Sequence, residues 1–150
     1  MLIRSHRAGF GSPAKREPRL GIAVVEFAVV ASLLFVLVLG IIEFGRAMMV
    51  LEMLTNAARN GCRTGTLAGS VKSDVTGAVT NALTGAGFSG TRTTVQDNGT
   101  TLANDTDSTG LTGDTVTVTV QVPYSNVTWL PTSIFLGGKT LGSSIVMRHE

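Results

Sequence analysis

The first strong pattern in the chain is an unbroken run of apolar residues near its N-terminus. Residues 22–42 read IAVVEFAVVASLLFVLVLGII, in which Glu26 is the one charged side chain. As an α-helix this run spans about 32 Å, which matches the hydrocarbon thickness of a bilayer. Its fifteen Val, Ile, Leu and Phe residues favour insertion by about 4 to 9 kcal/mol, whereas one carboxylate costs about 3 kcal/mol. The pattern therefore predicts a transmembrane helix over residues 22–42.

Beyond residue 42 the apolar positions continue at helical spacing, while Glu52, Asn56, Arg59 and Arg63 fall on the opposite side. This predicts one long helix from about residue 22 to about residue 66. Because its outer half is amphipathic, it must pack its apolar stripe against the rest of the chain. The predicted stripe consists of Phe44, Ala47, Met48, Leu51, Leu54, Ala58 and Cys62. We interpret Cys62, the one cysteine, as a buried free thiol rather than half of an intermolecular disulfide.

The rest of the chain predicts a short helix and a small sheet. Apolar residues at helical spacing behind Ser70, which could cap, indicate a second helix to about Thr84. Alternating residues predict three strands at 91–96, 115–122 and 140–148, with a polar, glycine-rich loop over residues 97–114. A sheet with one apolar face complements a helix with one apolar stripe. The fold class is therefore predicted as α+β, with one long N-terminal helix packed on an antiparallel sheet of about three strands.

The distribution of charge predicts how the chain sits in a membrane. The chain has 12 Lys and Arg against 10 Asp and Glu. Five of the basic residues precede residue 20, at positions Arg4, Arg7, Lys15, Arg16 and Arg19. The excess basic charge thus belongs to the tail, which argues against nucleic-acid binding and favours a cytoplasmic N-terminus. We predict a cytoplasmic leader over residues 1–21, the span over 22–42 and an extracytoplasmic domain over 43–150.

A cleaved secretory signal peptide is the main rival interpretation of the apolar run. Such a peptide has an apolar region of about 7 to 15 residues followed by small residues at the cleavage site. Here the run is longer, and the sequence EFGRAMM follows it. A signal anchor is therefore favoured.

None of the residue patterns typical of enzymes is complete in this sequence. The glycines of Gly85–Gly90 match a dinucleotide-binding motif, but the expected order of strand and helix is reversed. Gly137–Thr140 resembles the end of a phosphate-binding loop, yet no helix follows it. His6 lies in the tail and His149 beside the terminus, and no pair of carboxylates has a spacing that fixes both on one face. We expect no catalytic site, metal, cofactor or small-molecule substrate.

The residues around the start of the apolar run form the most informative constellation. A basic tail ends at Gly21, and four apolar residues, Ile22–Val25, precede Glu26 and Phe27. This order resembles the class III signal of type IV pilins. The resemblance implies cleavage by a prepilin peptidase between Gly21 and Ile22. It also implies contacts between subunits through Glu26 and Phe27.

Further segments extend the resemblance. They are GIIEFGR at 40–46, TNAARNGCR at 55–63 and the ending VMRHE at 146–150. Together they are similar to the TadE-like pseudopilins of tight-adherence pili, although Ser32 stands where that family often has a proline. The resemblance implies a pilin-like fold and a minor subunit for assembly of adhesive Flp-type pili, which act in adhesion and biofilm formation. Its partners would be the prepilin peptidase, other pilins and the assembly machinery in the inner membrane.

A second hypothesis is a constitutively anchored periplasmic or surface binding module. In that case the order of residues from Gly21 to Glu26 is a coincidence, and the outer sheet recognises a ligand. The neighbouring genes discriminate between the two hypotheses. A prepilin peptidase and a secretion ATPase beside the gene favour the first, and an isolated gene favours the second.

Overall fold

The computed structural model describes residues 19–110, 113–129 and 134–149, and it has the α+β fold class that the sequence predicts. Two helices, α1 (Arg19–Gly65) and α2 (Lys72–Ala82), precede the sheet. The strands are β1 (Arg92–Asp97), β2 (Thr100–Thr101), β3 (Thr115–Pro123) and β4 (Thr140–Arg148), with a short 3-10 helix at Tyr124–Asn126. The chain divides into two compact units, Met1–Val36 and Leu37–Glu150.

The described part of the first unit is the N-terminal portion of α1. Its side chains from Gly21 to Val36 are exposed, apart from the half-exposed Ala31. Ser32, where a proline would remove a backbone donor, instead donates its hydroxyl to the carbonyl of Ala28 at 2.7 Å within a continuous helix. An apolar helix that is exposed along its whole surface is typical of a membrane span.

The second unit contains an antiparallel sheet in the order β2-β1-β3-β4. The sequence predicts three strands, whereas the structure has four. The strand that was missed is β2, which has two residues. The turn at Asn98-Gly99, where both residues have positive φ, reverses the chain inside the segment predicted as a loop. Such a short edge strand has too few residues to show an alternating pattern.

The core lies between the sheet and both helices. The predicted inner face of β3 is confirmed, since Val116, Val118, Val120 and Val122 are fully buried. The predicted packing of the sheet on the long helix is also confirmed by a core that includes residues of α1, α2 and the sheet. Of the predicted helix stripe, Ala47, Leu54, Ala58 and Cys62 are buried and Leu51 packs on the core, whereas Phe44 and Met48 at its N-terminal end are exposed. The buried residues of this part of α1 other than glycine are Glu43, Arg46, Ala47, Val50, Leu54, Ala57, Ala58 and Cys62.

Small residues let the C-terminal end of α1 pack closely against the rest of the core. A Cβ added to Gly61 would lie 2.6 Å from Cγ2 of Val79 in α2 and 3.3 Å from Cγ1 of Val118 in β3. At Gly65 it would lie 3.0 Å from Cγ1 of Val116. The backbone of α1 thus approaches α2 and β3 more closely than a helix with large side chains on this face could.

The prediction that Ser70 caps the second helix is wrong. Ser70 does not cap α2, whose N-cap is Val71. The hydroxyl of Ser70 donates instead to the carbonyl of Thr64 at 2.7 Å, and the hydroxyl of Thr109 donates to the carbonyl of Gly65 at 2.6 Å. These two hydroxyls satisfy carbonyls in the last turn of α1, which have no partner within the helix.

Candidate functional site

The four site residues predicted from the sequence all lie in the first turns of α1. Gly21, Ile22, Glu26 and Phe27 are exposed, with 73% of Ile22 and 74% of Phe27 accessible. Ile22 and Glu26 are four residues apart and therefore share one face of the helix. Gly21 itself is helical, and a Cβ at this position would meet no atom within 4 Å. This surface is open to a partner, but its proposed roles stay predictions.

A second arrangement, which the sequence prediction missed, lies just beyond the predicted span. Glu43 is fully buried. Its Oε2 accepts hydrogen bonds from the backbone N–H groups of Ile134 and Phe135, at 3.2 and 3.1 Å, and its Oε1 accepts one from Leu136 at 2.8 Å. Hydrogen bonds to an ionised acceptor are among the stronger ones, and three of them compensate for burying the charge.

Arg46 lies one turn further along α1 and holds the same loop at its other end. Its Nε donates to the carbonyl of Val127 at 3.0 Å, and its guanidinium lies 4.5 Å from the centre of the Trp129 ring. The side chain of Arg46 is 7% exposed. A guanidinium over a tryptophan face is a favourable cation–π contact. We call Glu43 and Arg46 together the helix clamp.

Tyr124 joins the end of the sheet to the same turn of α1. It follows β3 directly, is fully buried and donates its hydroxyl to the backbone carbonyl of Glu43 at 3.1 Å. Burial raises the pKa of the Tyr124 phenol above its ordinary value of 10.0. The phenol is thus a neutral hydrogen-bond donor at physiological pH and has the role of a structural link.

The thiol of Cys62 is buried, as predicted. It lies 3.1 Å from the carbonyl oxygen of Ile145, and burial raises its pKa above the ordinary value of 9.0. Because the thiolate is the reactive form, this environment makes Cys62 a packing residue rather than a nucleophile.

At the far end of the sheet the fold brings together Asp97, Asp114 and His149, which the sequence did not predict. Burial raises the pKa of Asp97, and the charge of Asp114 adds to this effect, whereas His149 opposes it. The backbone N–H of His149 donates to the carbonyl of Asp114 at 2.7 Å. In the described ranges no group of three or more His, Cys, Asp or Glu side chains could hold a metal ion.

The glycine motifs rejected as enzyme signatures lie in turns. Gly85, Gly87 and Gly90 have positive φ, follow α2 and precede β1. Gly137 and Gly138 form the turn before β4. These positions agree with the interpretation that the glycines end the second helix and form a turn before the last strand.

Comparison with known proteins supports the resemblance seen in the sequence. The model of the TadE-like protein family matches residues 21–63. This confirms the suspected family over the exposed apolar part of α1, the helix clamp and most of the packed stripe. No curated protein and no solved structure matches the chain. With the exposed apolar helix, the match supports a single-pass membrane-anchored, pilin-like protein.

Proposed function

We propose that the chain is a minor pilin-like subunit that takes part in the assembly of tight-adherence (Flp-type) pili and so in adhesion and biofilm formation. It is anchored in the inner membrane with its N-terminus in the cytoplasm and its folded domain outside. The observation that carries this proposal is the exposed apolar helix at Gly21–Val36, whose one charge is Glu26 and which lies within the family match. An isolated acid in a membrane-spanning segment is costly, and such residues usually mark a functional site.

The proposed processing step is cleavage between Gly21 and Ile22 by a prepilin peptidase. A protease needs an extended backbone, whereas Gly21 is helical before cleavage. Glycine costs about 1 kcal/mol relative to alanine inside a helix, so the first turn unwinds more easily at this position. The absence of a side chain also allows close approach of the enzyme.

Cleavage creates an α-amino group on Ile22, and Glu26 is its proposed partner in a neighbouring subunit. The two positions are four residues apart, which is about 6 Å along the axis of a helix. Pairing between adjacent helices would therefore fix an axial offset of about one turn. The desolvation cost of the pair makes this a source of register more than of affinity. Phe27, exposed beside Glu26, would pack in the same contact.

The deciding experiment is to express the full chain with its prepilin peptidase and to measure the intact mass. We expect a mature chain that begins at Ile22, and Gly21→Val should block the cleavage. Gly9→Val in the same leader is the matched control and should be processed normally. An uncleaved chain in the presence of active peptidase would support the constitutively anchored binding module, and a chain beginning near Ala47 would indicate ordinary signal cleavage.

Piliation of the host tests the rest of the proposal. Deletion of the gene should reduce the number of pili, and the wild-type gene should restore it while the Gly21→Val variant should not. Normal piliation in the deletion strain would contradict the assembly role.

A further inference from the structure

Apolar side chains cluster on the outside of the loop that the helix clamp holds. Trp129 is 72% exposed, and Ile134 and Phe135 are 48% and 47% exposed. Phe44 of α1 is 54% exposed, and its ring centre lies 6.4 Å from that of Phe135. We call Phe44, Trp129, Ile134 and Phe135 the apolar patch. A group of large apolar side chains exposed on one part of a surface usually marks an interaction site.

The position of the apolar patch along α1 is set by direct contacts. A Cβ added to Gly40 would lie 3.0 Å from Cε2 of Phe135, so the ring lies over the Gly40 backbone. Gly40 belongs to the last turn of the predicted span, which ends at Ile42. Residues 37–42 are part of the same compact unit as the patch. The patch is therefore level with the boundary where the hydrocarbon of a bilayer gives way to its headgroups.

We propose that the apolar patch inserts into the interfacial layer of the lipid bilayer, with a phospholipid surface as its partner. Tryptophan is enriched at this depth, because its ring combines an apolar body with a polar N–H, and the phenylalanine and isoleucine beside it are apolar. Residues 37–42, the end of the predicted span, belong to the same compact unit as the patch, so contact with lipid requires no separate association of two molecules. This inference rests on the membrane anchor and is independent of a role in pilus assembly.

The helix clamp satisfies backbone donors of the loop that would otherwise oppose contact with lipid. A backbone N–H that is moved from water into an apolar layer without a partner is costly. The N–H groups of Ile134, Phe135 and Leu136 already donate to the Glu43 carboxylate. Their side chains can therefore meet lipid without leaving these donors unsatisfied, and Glu43 acts as a positioning residue for the patch.

The test uses Trp129, which is the one tryptophan of the chain. The full-length protein is reconstituted into vesicles of phosphatidylethanolamine and phosphatidylglycerol that contain lipids brominated either near the headgroup or near the end of the acyl chain. We expect Trp129 emission to be blue-shifted, protected from acrylamide, and quenched more strongly by the shallow bromines than by the deep ones.

The matched control is Leu67→Trp in a Trp129→Phe background. Leu67 is also apolar and 60% exposed, but it follows the end of α1 at Gly65, which is about 35 Å along the helix from Ile42. This tryptophan should emit as in water, be quenched by acrylamide and be insensitive to brominated lipid. Co-flotation with the vesicles reports the anchor separately for both proteins.

Four results would overturn the inference. If the protein floats with the vesicles but Trp129 behaves like the Leu67→Trp control, the patch faces water and the anchor stands. Protection from both acrylamide and bromine would mean that protein, such as a second copy, covers the patch. Equal lipid quenching at positions 129 and 67 would mean that the whole domain lies flat on the membrane, which would contradict a lipid contact specific to the apolar patch. Failure to float would remove the anchor together with the inference.

Discussion

Glu43 and Arg46, one turn apart on α1, hold the two ends of one loop. Arg46 binds the carbonyl of Val127, and Glu43 binds the N–H groups of residues 134–136. Two charged side chains are therefore buried on the same helix face for a structural purpose. The loop between β3 and β4 takes its position from the helix and not from the sheet alone.

Replacing Glu43 should destabilise the domain measurably. Glu43→Ala leaves three backbone donors without their acceptor. A fully buried unsatisfied donor costs about 1 to 3 kcal/mol, but these three are only partly buried and water replaces part of the lost bonding, so the free energy of unfolding should fall by about 2 to 4 kcal/mol. Glu43→Gln keeps one acceptor oxygen and should cost less. Thermal unfolding of the full-length protein in detergent, followed by circular dichroism, measures both effects.

The control for this prediction is Glu52→Ala on the same helix. Glu52 is exposed, and surface substitutions of this kind usually change stability by less than about 0.5 kcal/mol. Similar melting temperatures for the Glu43→Ala and Glu52→Ala variants would show that the Glu43 carboxylate does not stabilise the fold.

Gly61→Ala should destabilise the protein although alanine is the better helix former. The added Cβ would lie 2.6 Å from the stiff side chain of Val79, and such overpacking costs about 1 to 3 kcal/mol. Gly45→Ala on the same helix meets no atom within 4 Å and should gain up to about 1 kcal/mol. Melting curves of the two variants should therefore shift in opposite directions. A gain in stability from both would mean that α1 and α2 do not approach each other closely at Gly61.

The pH dependence of stability should include a contribution from Cys62 on the alkaline side. Because burial raises the thiol pKa in the folded protein, the unfolded chain loses its proton first as the pH rises. Stability is thus unaffected below the ordinary value of 9.0 and falls above it. Urea unfolding of the wild type and of Cys62→Ala between pH 7 and pH 10 compares the two slopes.

Alkylation gives an independent measure of the same environment. Iodoacetamide should modify Cys62 slowly in the native protein and rapidly after denaturation, as followed by mass spectrometry. Rapid modification of the native protein, or a disulfide-linked dimer on a non-reducing gel, would contradict the buried thiol.

Glu26→Gln should leave cleavage and membrane insertion intact but reduce incorporation into the pilus assembly. Removal of the charge eases insertion by up to about 3 kcal/mol. A loss of assembly could then not be attributed to a weaker anchor. Membrane fractionation with the size shift of processing measures the first effect, and co-purification with other pilins measures the second. Normal assembly of the variant would reduce Glu26 to a carboxylate tolerated near the end of a helix.

Truncation should show that the sheet depends on α1. A truncated chain that begins at Ser70 lacks the helix stripe and should aggregate or unfold without cooperativity. A chain from Gly45 retains most of the stripe but lacks Glu43, so it should be less stable than one from Gly40. Circular dichroism melts of the three truncated proteins test this order. A cooperative transition in the protein that begins at Ser70 would show that the sheet has a sufficient core of its own.

The regular elements were predictable because their patterns repeat. Strand β4 has the predicted bounds, Thr140–Arg148, since Leu141, Ser143, Ile145 and Met147 alternate over its whole length. The exact face of α1 was not predictable. Phe44 and Met48 are the large apolar side chains at the start of the outer half of α1, so the prediction assigned them to the packed face, whereas the face buried there carries Glu43, Arg46 and Val50.

The helix clamp was missed for a different reason. Glu43 appeared in the sequence only as part of a segment that resembles the family, and a carboxylate is normally assigned to the solvent face of a helix. Its spacing to Ala47, Val50 and Leu54 places it on the buried face, which is the signal that could have revealed it. Its partners could not be found in this way, because no local pattern connects them.

Glu43 binds residues that lie far from it in the sequence, and this separation limits the order in which the protein can fold. The carboxylate and its three backbone partners are separated by 91 to 93 residues along the chain. Helix α1 is therefore synthesised well before these donors exist, and loop closure over such a distance is slow compared with helix formation. During this interval the charge depends on water for its solvation. The carboxylate therefore stays hydrated until residues 134–136 reach it, and the domain completes its packing only after this loop has been synthesised.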